Sequence, residues 1–238
     1  MLPTGVVDLS PAGLLARVLP APAIGIVADP ADWEAALLAG EVEMVARAVD
    51  RRRREVAAGR SCARRALARL GAEAGPLPPD PDRVPRWPAD VVGSITHTAG
   101  FCAAAVAWRR ELRALGLDAE RPIGSSRGEI MRLVATPTEA AWLARLPEQR
   151  QATGSALVFS AKEALYKAQF PLTREFLDFT DVELQLDRVQ LDRAGDGHGC
   201  GELSAAFRPD KAAARLPPLV ARFAVGDDLV VTAAHLLA

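Results

Sequence analysis

The sequence lacks the features that mark secreted, zinc-stabilised or membrane-spanning proteins. It has only three cysteines, Cys62, Cys102 and Cys200, and their odd number and wide spacing suit neither a disulfide framework nor a zinc site. No apolar run reaches the roughly 18–20 residues that span a bilayer. The N-terminal segment has no basic region followed by a long apolar stretch, so we expect no signal peptide. A cytoplasmic protein is the simplest interpretation.

A strong charge of either sign is also lacking. The formal net charge is -1, and charged residues make up 25% of the chain. This balance argues against a general binder of nucleic acid or of membrane surfaces. Half of the 238 residues are apolar, which is enough to bury a substantial core in one large domain or two small ones.

Two stretches have helical character. The first covers residues 30–70 and ends at Gly71, because glycine readily takes the left-handed conformation that terminates a helix. The second covers residues 138–168 and is interrupted near Pro147. Residues 71–88 are rich in proline and are expected to form neither helix nor central strand.

Apolar segments separated by turns predict strands after each helical stretch. VVGSITHTAGFCAAAVAW predicts two strands around a turn at residues 98–100, and LGLDAE predicts the end of a third. Further strands are predicted in FTDVELQLDRVQL, GELSAAFRP, LVARFAV and DDLVVTAAHLL, with a loop rich in glycine and aspartate at residues 192–200. Helix followed by strands, found twice, predicts an α+β fold with two similar halves.

A faint internal repeat supports these two halves. CARRALARL, at residues 62–70, aligns with SAKEALYKA, at residues 160–168. The apolar matches are Ala63 with Ala161, Ala66 with Ala164, and Leu67 with Leu165. Alanine-rich helices match by chance often, so the repeat depends on the strands that follow both helices.

The tripeptide D-x-E in LGLDAE is the first candidate for chemistry. If it ends a strand, Asp118 and Glu120 lie on one face, because strand side chains alternate with a period of two. Two carboxylates on one face repel each other, and a hard cation such as Mg²⁺ relieves that repulsion. The alternative is an exposed acidic turn.

The segment FSAKEALYK has a structural and a functional interpretation. In the first, Ser160 is a helix N-cap, Glu163 completes a capping box, and Glu163 pairs with Lys167 for about 0.2–0.5 kcal/mol. In the second, Glu163 is a third oxygen ligand for the metal, while Lys162 and Lys167 meet phosphate near a helix N-terminus. The segment alone favours the structural interpretation.

Two further segments could bind an anion. In GSITHTAG, His97 lies between hydroxyl side chains of Ser94, Thr96 and Thr98, a pattern that suits a phosphate cradle, although a lone histidine is usually structural. DRRRREVAAGRSCARR places several arginines on one helix face, where forked guanidinium groups could grip phosphate. Its alternative is a solvated helix face. Carboxylates, cations and a histidine turn together suit a metal-bound pyrophosphate.

In order along the chain, GRSCARRAL, WP-x-x-VVGSITHTAGF, GLDAE and FSAKEALYKAQFP resemble the motifs of the 4′-phosphopantetheinyl transferases of the Sfp/EntD type. The resemblance is closest to the actinobacterial branch that activates carrier proteins, and it covers roughly residues 47–179. It implies a pseudo-dimeric α+β fold of two similar halves, residues 1–118 and 119–238. Coenzyme A would bind in the cleft between them as co-substrate.

The resemblance also implies roles for particular residues. Those implied to bind Mg²⁺, with Mn²⁺ as an alternative, are Asp118, Glu120 and Glu163. Those implied to bind coenzyme A are Arg52 or Arg53, Arg60, Arg83, Ser94, Thr96, His97, Lys162 and Lys167. Catalysis is expected to depend on Asp118, Glu163 and Lys167, with Glu163 as the candidate base. The aromatic after the histidine turn is often tyrosine in this family, but Phe101 stands here, so a hydroxyl role is absent at that position.

The implied reaction transfers the phosphopantetheine arm of coenzyme A to a serine of an apo acyl or peptidyl carrier protein. We expect a monomer that binds neither nucleic acid nor membrane. Three alternatives remain open: a basic-helix module that binds RNA or an acidic partner, a degenerate homologue that binds coenzyme A without transferring anything, and another metal-dependent phosphoesterase.

Overall fold

The computed structural model describes residues 8–122, 127–191 and 199–238. Its α-helices in these ranges are α1 (Pro11–Val18), α2 (Asp50–Leu70), α3 (Arg127–Val134), α4 (Pro137–Arg145) and α5 (Glu148–Thr173). No helix in this part of the chain is both long enough and apolar enough to cross a membrane. The two long helices, α2 and α5, each pack on a sheet.

The strands form two antiparallel sheets. They are β1 (Ile24–Val27), β2 (Val91–Thr98), β3 (Phe101–Trp108), β4 (Leu112–Glu120), β5 (Val182–Gln185), β6 (Cys200–Phe207), β7 (Val220–Val225) and β8 (Val230–Leu237). The first sheet has the order β1-β3-β2 and the second has the order β4-β8-β7-β6-β5. The predicted α+β fold class is confirmed. Each strand predicted in the C-terminal remainder is present, although FTDVELQLDRVQL provides only the four residues of β5.

Strand β3 is buried on both faces, which explains its continuous apolar sequence. Ala103 and Ala105 pack in the cluster between the two sheets, which also contains residues of α1, β4 and β8. Ala104 and Val106 point the other way and pack against α2. Small side chains on both faces let the helix and the second sheet approach the strand closely.

Helix α5 lies directly on β4. A Cβ atom on Gly116 would be 1.9 Å from the carbonyl oxygen of Ala164 and 2.7 Å from the amide nitrogen of Ala168. Glycine is therefore required here, because any side chain would push the helix off the strand. This face of β4 also carries Asp118 and Glu120, since side chains alternate along the strand.

The aligned segments of the internal repeat occupy equivalent environments in the two halves. Residues 62–70 lie in α2 and residues 160–168 lie in α5. Every residue of the three apolar pairs is 0% exposed: Ala63 and Ala161, Ala66 and Ala164, Leu67 and Leu165. Each helix thus uses the same alanine and leucine positions to pack on its own sheet.

The prediction of one helix over residues 30–70 is wrong in its first half. Residues 32–34 and 43–45 form single turns of 3₁₀ helix, and α2 begins only at Asp50. The buried carboxylate of Glu41 accepts hydrogen bonds from the backbone N–H groups of Leu38 and Leu77, at 2.9 Å each. A side chain that satisfies the backbone in this way stabilises irregular structure in place of helix. The predicted end at Gly71 is confirmed, with φ at 78°.

The capping box predicted at Ser160 is also wrong. Helix α5 begins at Glu148, directly after Pro147, and runs unbroken through Ser160. Ser160 is 0% exposed, and its hydroxyl is 2.7 Å from that of Thr232 on β8. The predicted interruption of helix near Pro147 is confirmed, since α4 ends at Arg145.

The predicted boundary between residues 118 and 119 falls within β4, which pairs with β8 in the second sheet. The division of the chain at that bond stays a prediction. The loop predicted at residues 192–200 lies mostly outside the described residues, as does part of the loop after LGLDAE at residues 121–128.

Candidate active site

A cleft of about 860 Å³ lies between the two halves of the fold. One wall comes from α2, from the loop of residues 79–85 and from β2. The opposite wall comes from the C-terminal end of β4 and from one face of α5. The volume is within the range of about 300–1,000 Å³ that is typical of small-molecule and cofactor pockets.

The α2 wall carries a buried cation. Arg60 is 5% exposed, and its Nη2 donates to the sulfur of Met44 at 3.5 Å. Its Nε is buried and has no hydrogen-bond partner among the described residues. Burial lowers the pKa of Arg60 from its ordinary value, and nearby Glu41 opposes that shift. A donor in this position suits an anionic ligand, because an unsatisfied buried N–H is costly.

His97 lies at the end of β2, against α2. Its Nε2 is 2.5 Å from Nη1 of Arg52, and its Nδ1 is 3.9 Å from a carboxylate oxygen of Glu55. Burial lowers the pKa of His97, and Arg52 lowers it further, while Glu55 raises it. A guanidinium can donate only to an unprotonated nitrogen, so the contact fits a neutral imidazole.

The opposite wall carries the carboxylates. Oδ1 of Asp118 accepts from Nζ of Lys167 at 2.6 Å and from the hydroxyl of Thr96 at 3.3 Å. Its Oδ2 is buried and has no hydrogen-bond partner within the described ranges. Burial raises the pKa of Glu163, Lys167 opposes the shift, and the charges of Asp118 and Glu120 add to it.

These carboxylates fit a divalent cation that arrives with phosphate. Across residues 8–122, 127–191 and 199–238, no three histidine, cysteine, aspartate or glutamate side chains are grouped closely enough to hold a metal alone. Mg²⁺ is usually held by one or two carboxylates together with substrate phosphates and water. The orphan oxygen of Asp118 and the crowding of negative charge at Glu163 are what such a cation would relieve.

A second pocket of about 190 Å³ adjoins the cleft and shares Glu163 and Tyr166 with it. Its other walls are largely apolar and include Phe176, Leu177 and Phe207. Tyr166 stacks on Phe170 at 5.3 Å between ring centroids and meets Phe176 edge-on at 6.0 Å. The charged cleft therefore continues into a narrow apolar pocket.

Most of the residues predicted from the sequence line the cleft together. They are Arg52, Arg60, Arg83, Ser94, Thr96, His97, Asp118, Glu120, Glu163 and Lys167. Ser94 also accepts a hydrogen bond from the backbone N–H of Leu117 at 2.9 Å, which fixes β2 against β4.

Two predicted residues are directed elsewhere. The guanidinium of Arg53 donates to the carbonyl oxygens of Ala46 and Ala48, at 3.0 and 3.1 Å. Lys162 is 1% exposed, and its ammonium lies 2.7 Å from Glu139 and close to two backbone carbonyls. Lys162 borders the second pocket, but its charge is already neutralised, which does not fit the prediction that it contacts phosphate.

The basic run of α2 is largely neutralised within the protein, which weighs against the nucleic-acid alternative. Arg54 pairs with Glu34, and Arg51 and Arg52 both lie near Glu55. Farther along, Arg64 pairs with Glu41, and Arg65 with Asp29 and Asp32. Arg60 faces the cleft.

Among the cleft residues that the sequence analysis missed are Glu55, Tyr166 and Phe170. On a helix, side chains three and four residues apart share a face. Glu163 therefore shares its face with Tyr166 and Lys167, and Tyr166 shares its face with Phe170. Helical spacing applied to the predicted metal ligand could have found both aromatics.

Comparisons with known proteins identify the family that this fold and cleft define. Residues 40–107 match the 4′-phosphopantetheinyl transferase N-terminal domain, and residues 114–207 match the 4′-phosphopantetheinyl transferase superfamily. The chain belongs to the 4′-phosphopantetheinyl transferases, a family of enzymes, and the resemblance seen in the sequence is confirmed.

The similar proteins come from actinobacteria. The chain is 39% identical to 4′-phosphopantetheinyl transferase Svp of Streptomyces mobaraensis, over 92% of this chain and 88% of the relative. It is 34% identical to 4′-phosphopantetheinyl transferase Npt of Nocardia iowensis, over 81% and 86%. It is 37% identical to 4′-phosphopantetheinyl transferase PptT of Mycobacterium tuberculosis, over 62% and 64%.

Proposed function

We propose that this protein transfers the 4′-phosphopantetheine arm of coenzyme A to a serine of an apo acyl or peptidyl carrier protein. The reaction depends on Mg²⁺, with Mn²⁺ as an alternative, and releases adenosine 3′,5′-bisphosphate. The observation that carries the proposal is the convergence of cations and carboxylates on one cleft. Arg52, Arg60 and His97 line one wall, Asp118 and Glu163 line the other, and an apolar pocket opens beside the carboxylates.

This arrangement matches the parts of coenzyme A. The 3′-phosphate and the adenosine end of coenzyme A belong at the α2 wall, where the buried Nε of Arg60 has no acceptor among the described residues. The diphosphate lies between Arg83 and Lys167, near the carboxylates. The uncharged pantetheine arm enters the second pocket, where Tyr166, Leu177 and Phe207 offer apolar contact.

The chemistry is a substitution at phosphorus. The serine oxygen of the carrier protein forms a bond to the phosphorus that bears pantetheine. The bond from that phosphorus to the bridging oxygen of the diphosphate breaks, and the bridging oxygen leaves with adenosine 3′,5′-bisphosphate. The serine proton passes to Glu163, directly or through water. Lys167 and Arg83 offset charge on the phosphate oxygens.

The metal would be held by Asp118, Glu120 and Glu163 together with oxygens of the diphosphate. When bound it neutralises phosphate charge and draws electron density from the phosphorus. Lys167 orients Asp118 through their contact, and Thr96 supports the same carboxylate from β2.

The test is the intact mass of apo carrier proteins from several unrelated pathways after incubation with this protein, coenzyme A and Mg²⁺. We expect the mass to rise by one phosphopantetheine, and the gain to disappear with EDTA or in D118A. D187A, which removes an exposed aspartate outside the cleft, is the matched control. Coenzyme A binding without transfer to any carrier would favour a degenerate homologue. Hydrolysis of coenzyme A without a carrier would favour a phosphoesterase.

A separate experiment tests the base. E163Q keeps the size of the side chain and one oxygen, but it cannot accept the serine proton. We expect its transfer rate to fall by about 10²–10⁴-fold, the usual contribution of general base catalysis. E163Q that binds metal normally and keeps the full rate would remove Glu163 from this role.

The proposed setting is the cytoplasm. Cys62, Cys102 and Cys200 are all free thiols, which suits a reducing compartment. Coenzyme A and an apo carrier protein are the proposed partners.

A further inference from the structure

A contact outside the predicted site joins the two halves beside the cleft. Nη1 of Arg174, at the end of α5, lies 2.6 Å from Oδ2 of Asp80 and 3.1 Å from Oδ2 of Asp82. Both aspartates belong to the proline-rich segment of the first half, and Asp82 and Arg83 line the cleft. Arg174 also lies over the ring of Phe170, which lines the cleft from the other side, at 5.8 Å from its centroid.

Asp80 organises the turn that carries Arg83. Its Oδ1 accepts hydrogen bonds from the backbone N–H of Asp82 at 3.0 Å and of Val84 at 2.9 Å. Its own N–H donates to the carbonyl of Val84 at 2.8 Å, and its carbonyl accepts from the N–H of Arg83 at 2.9 Å. One carboxylate oxygen therefore shapes the turn, while the other binds Arg174.

The backbone on both sides of this contact is held in an unfavourable conformation. Among the described residues, three that are not glycine have positive φ, and two of them are Arg83 at 68° and Arg174 at 56°. Such a conformation costs about 1–2 kcal/mol without glycine and persists only where surrounding contacts enforce it. Arg174, which makes the contact, and Arg83, which follows Asp82 in the loop, therefore both have a backbone conformation that surrounding contacts enforce.

We propose that Arg174 and Asp80 are positioning residues, and that their contact is a clasp that holds the loop of residues 79–85 over the cleft so that Arg83 meets the ligand. The inference rests on the proposed function, because the ligand is taken to be coenzyme A. The clasp acts through Arg83 and not on the reacting atoms. Ion pairs that stay partly open to solvent contribute little to global stability, so the effect of this one should be local to the loop.

The experiment compares wild type with R174A and R174K. Hydrogen exchange measures the amides of the loop without ligand, and calorimetry measures the affinity for coenzyme A. In R174A we expect faster hydrogen exchange at the backbone amides of Asp82 and Val84. We also expect coenzyme A to bind about tenfold more weakly, which is the effect of losing one charged contact. The kcat at saturating coenzyme A should fall as well, since a displaced Arg83 no longer offsets charge on the phosphate oxygens. R174K restores most of the affinity, because a single Nη atom makes both contacts.

Two comparisons separate the clasp from a general effect of lost charge. R208A is the matched control, since Arg208 is similarly exposed and pairs with two aspartates away from the cleft. It should leave loop exchange and coenzyme A affinity unchanged. In an R83A background, adding R174A should weaken binding by less than about twofold, because neighbouring residues that act through one contact are not additive.

Four outcomes would contradict parts of this proposal. Unchanged exchange in R174A would overturn the clasp. Faster exchange with unchanged affinity, or a full tenfold loss by R174A on top of R83A, would overturn the positioning role. If wild type does not bind coenzyme A, the proposed function fails and the positioning role fails with it, while hydrogen exchange still reports whether the clasp exists.

Discussion

Nζ of Lys167 lies 2.6 Å from Oδ1 of Asp118, so an ion pair joins α5 to β4 at the floor of the cleft. The ammonium of Lys167 thus donates to one oxygen of Asp118, a carboxylate that the proposed function assigns to a metal. The other oxygen, Oδ2, is the buried atom without a partner in the described part of the chain. In the proposed function, Lys167 and the metal would therefore share one carboxylate, and the lysine reduces the negative charge of that carboxylate before any ligand arrives.

We expect K167M to bind Mn²⁺ more tightly than wild type when no coenzyme A is present. Removing a positive charge this close to Asp118 should raise metal affinity by about five- to tenfold. The same change should weaken the binding of coenzyme A, because the proposed contact between Lys167 and phosphate is lost. Electron paramagnetic resonance of free Mn²⁺ during a titration measures the first effect, and calorimetry measures the second.

The matched control for K167M is K211M. Lys211 also binds a buried aspartate, Asp181, at 3.0 Å, but it lies away from the cleft. It should leave Mn²⁺ binding unchanged. Metal affinity in K167M at or below that of wild type would show that Lys167 supports the metal site instead of competing with it.

We predict that K162M destabilises the protein without weakening ligand binding in the cleft. Lys162 and Glu139 form an ion pair that is 1% and 0% exposed, and removing one partner leaves a buried charge uncompensated. The expected loss is about 3–5 kcal/mol in the free energy of unfolding, measured by urea denaturation. Adenosine 3′,5′-bisphosphate lacks the pantetheine arm, so its affinity at low temperature should stay within about twofold of wild type. A large loss of that affinity with normal stability would return Lys162 to the phosphate site.

G116A should be among the most damaging small substitutions in the chain. Its Cβ would meet the backbone of α5 at 1.9 Å, which the helix can relieve only by moving away from β4. We expect a loss of about 3 kcal/mol or more in the free energy of unfolding, together with reduced transfer, because the helix carries Glu163. Circular dichroism during urea unfolding measures the loss.

Gly75 provides the control for G116A. A Cβ there would have only one neighbour, at 4.0 Å, so G75A should stay within about 0.5 kcal/mol of wild type. Equal effects of the two substitutions would contradict the close packing of α5 on β4.

We expect the free energy of unfolding to decrease as the pH falls below neutral, because His235 is buried in its uncharged form. This side chain is 3% exposed in β8, and its Nδ1 is buried without a partner in the described ranges. Burial lowers its pKa, Arg222 lowers it further, and Glu202 opposes both. The unfolded chain therefore binds a proton at a pH where the folded chain does not. The contribution of uncharged His235 to the free energy of unfolding is fully present above the pKa of the unfolded chain, near 6.5. It is lost as the pH falls toward the lower pKa that His235 has in the folded chain.

H235L removes this titration. We expect the free energy of unfolding of H235L to depend less on pH below 6.5 than that of wild type, by up to about 1.4 kcal/mol per pH unit. Urea denaturation at pH 7.5 and 5.5 measures the two slopes. Parallel slopes would mean that His235 is protonated equally in the folded and unfolded chains.

Features fixed by neighbours in the chain were predictable from the sequence. Gly71 ends α2, and the predicted turn at residues 98–100 joins β2 to β3. The alternation of LGLDAE placed Asp118 and Glu120 on one face, and both line the cleft. The order of the motifs was enough to identify the family.

Features that depend on distant contacts were not predictable in this way. The first half of the predicted helix at residues 30–70 is irregular because Glu41 satisfies backbone groups as far away as Leu77. Lys162 and Lys167 lie on one helix, but the docking of α5 sends the first to Glu139 and the second to Asp118. The clasp at Arg174 joins segments that no local pattern connects.

The pairing of β4 with β8 bears on the order in which the molecule folds. Asp118 lies opposite Thr232, which in turn contacts Ser160 of α5, so three distant segments must meet before the carboxylate is held in place. Such long loops close slowly, whereas the hairpin of β2 and β3 can form early. A chain with its first half folded would already present His97 but not an ordered Asp118. Coenzyme A, which the proposed function places against both walls of the cleft, would therefore find its complete site only in the finished fold.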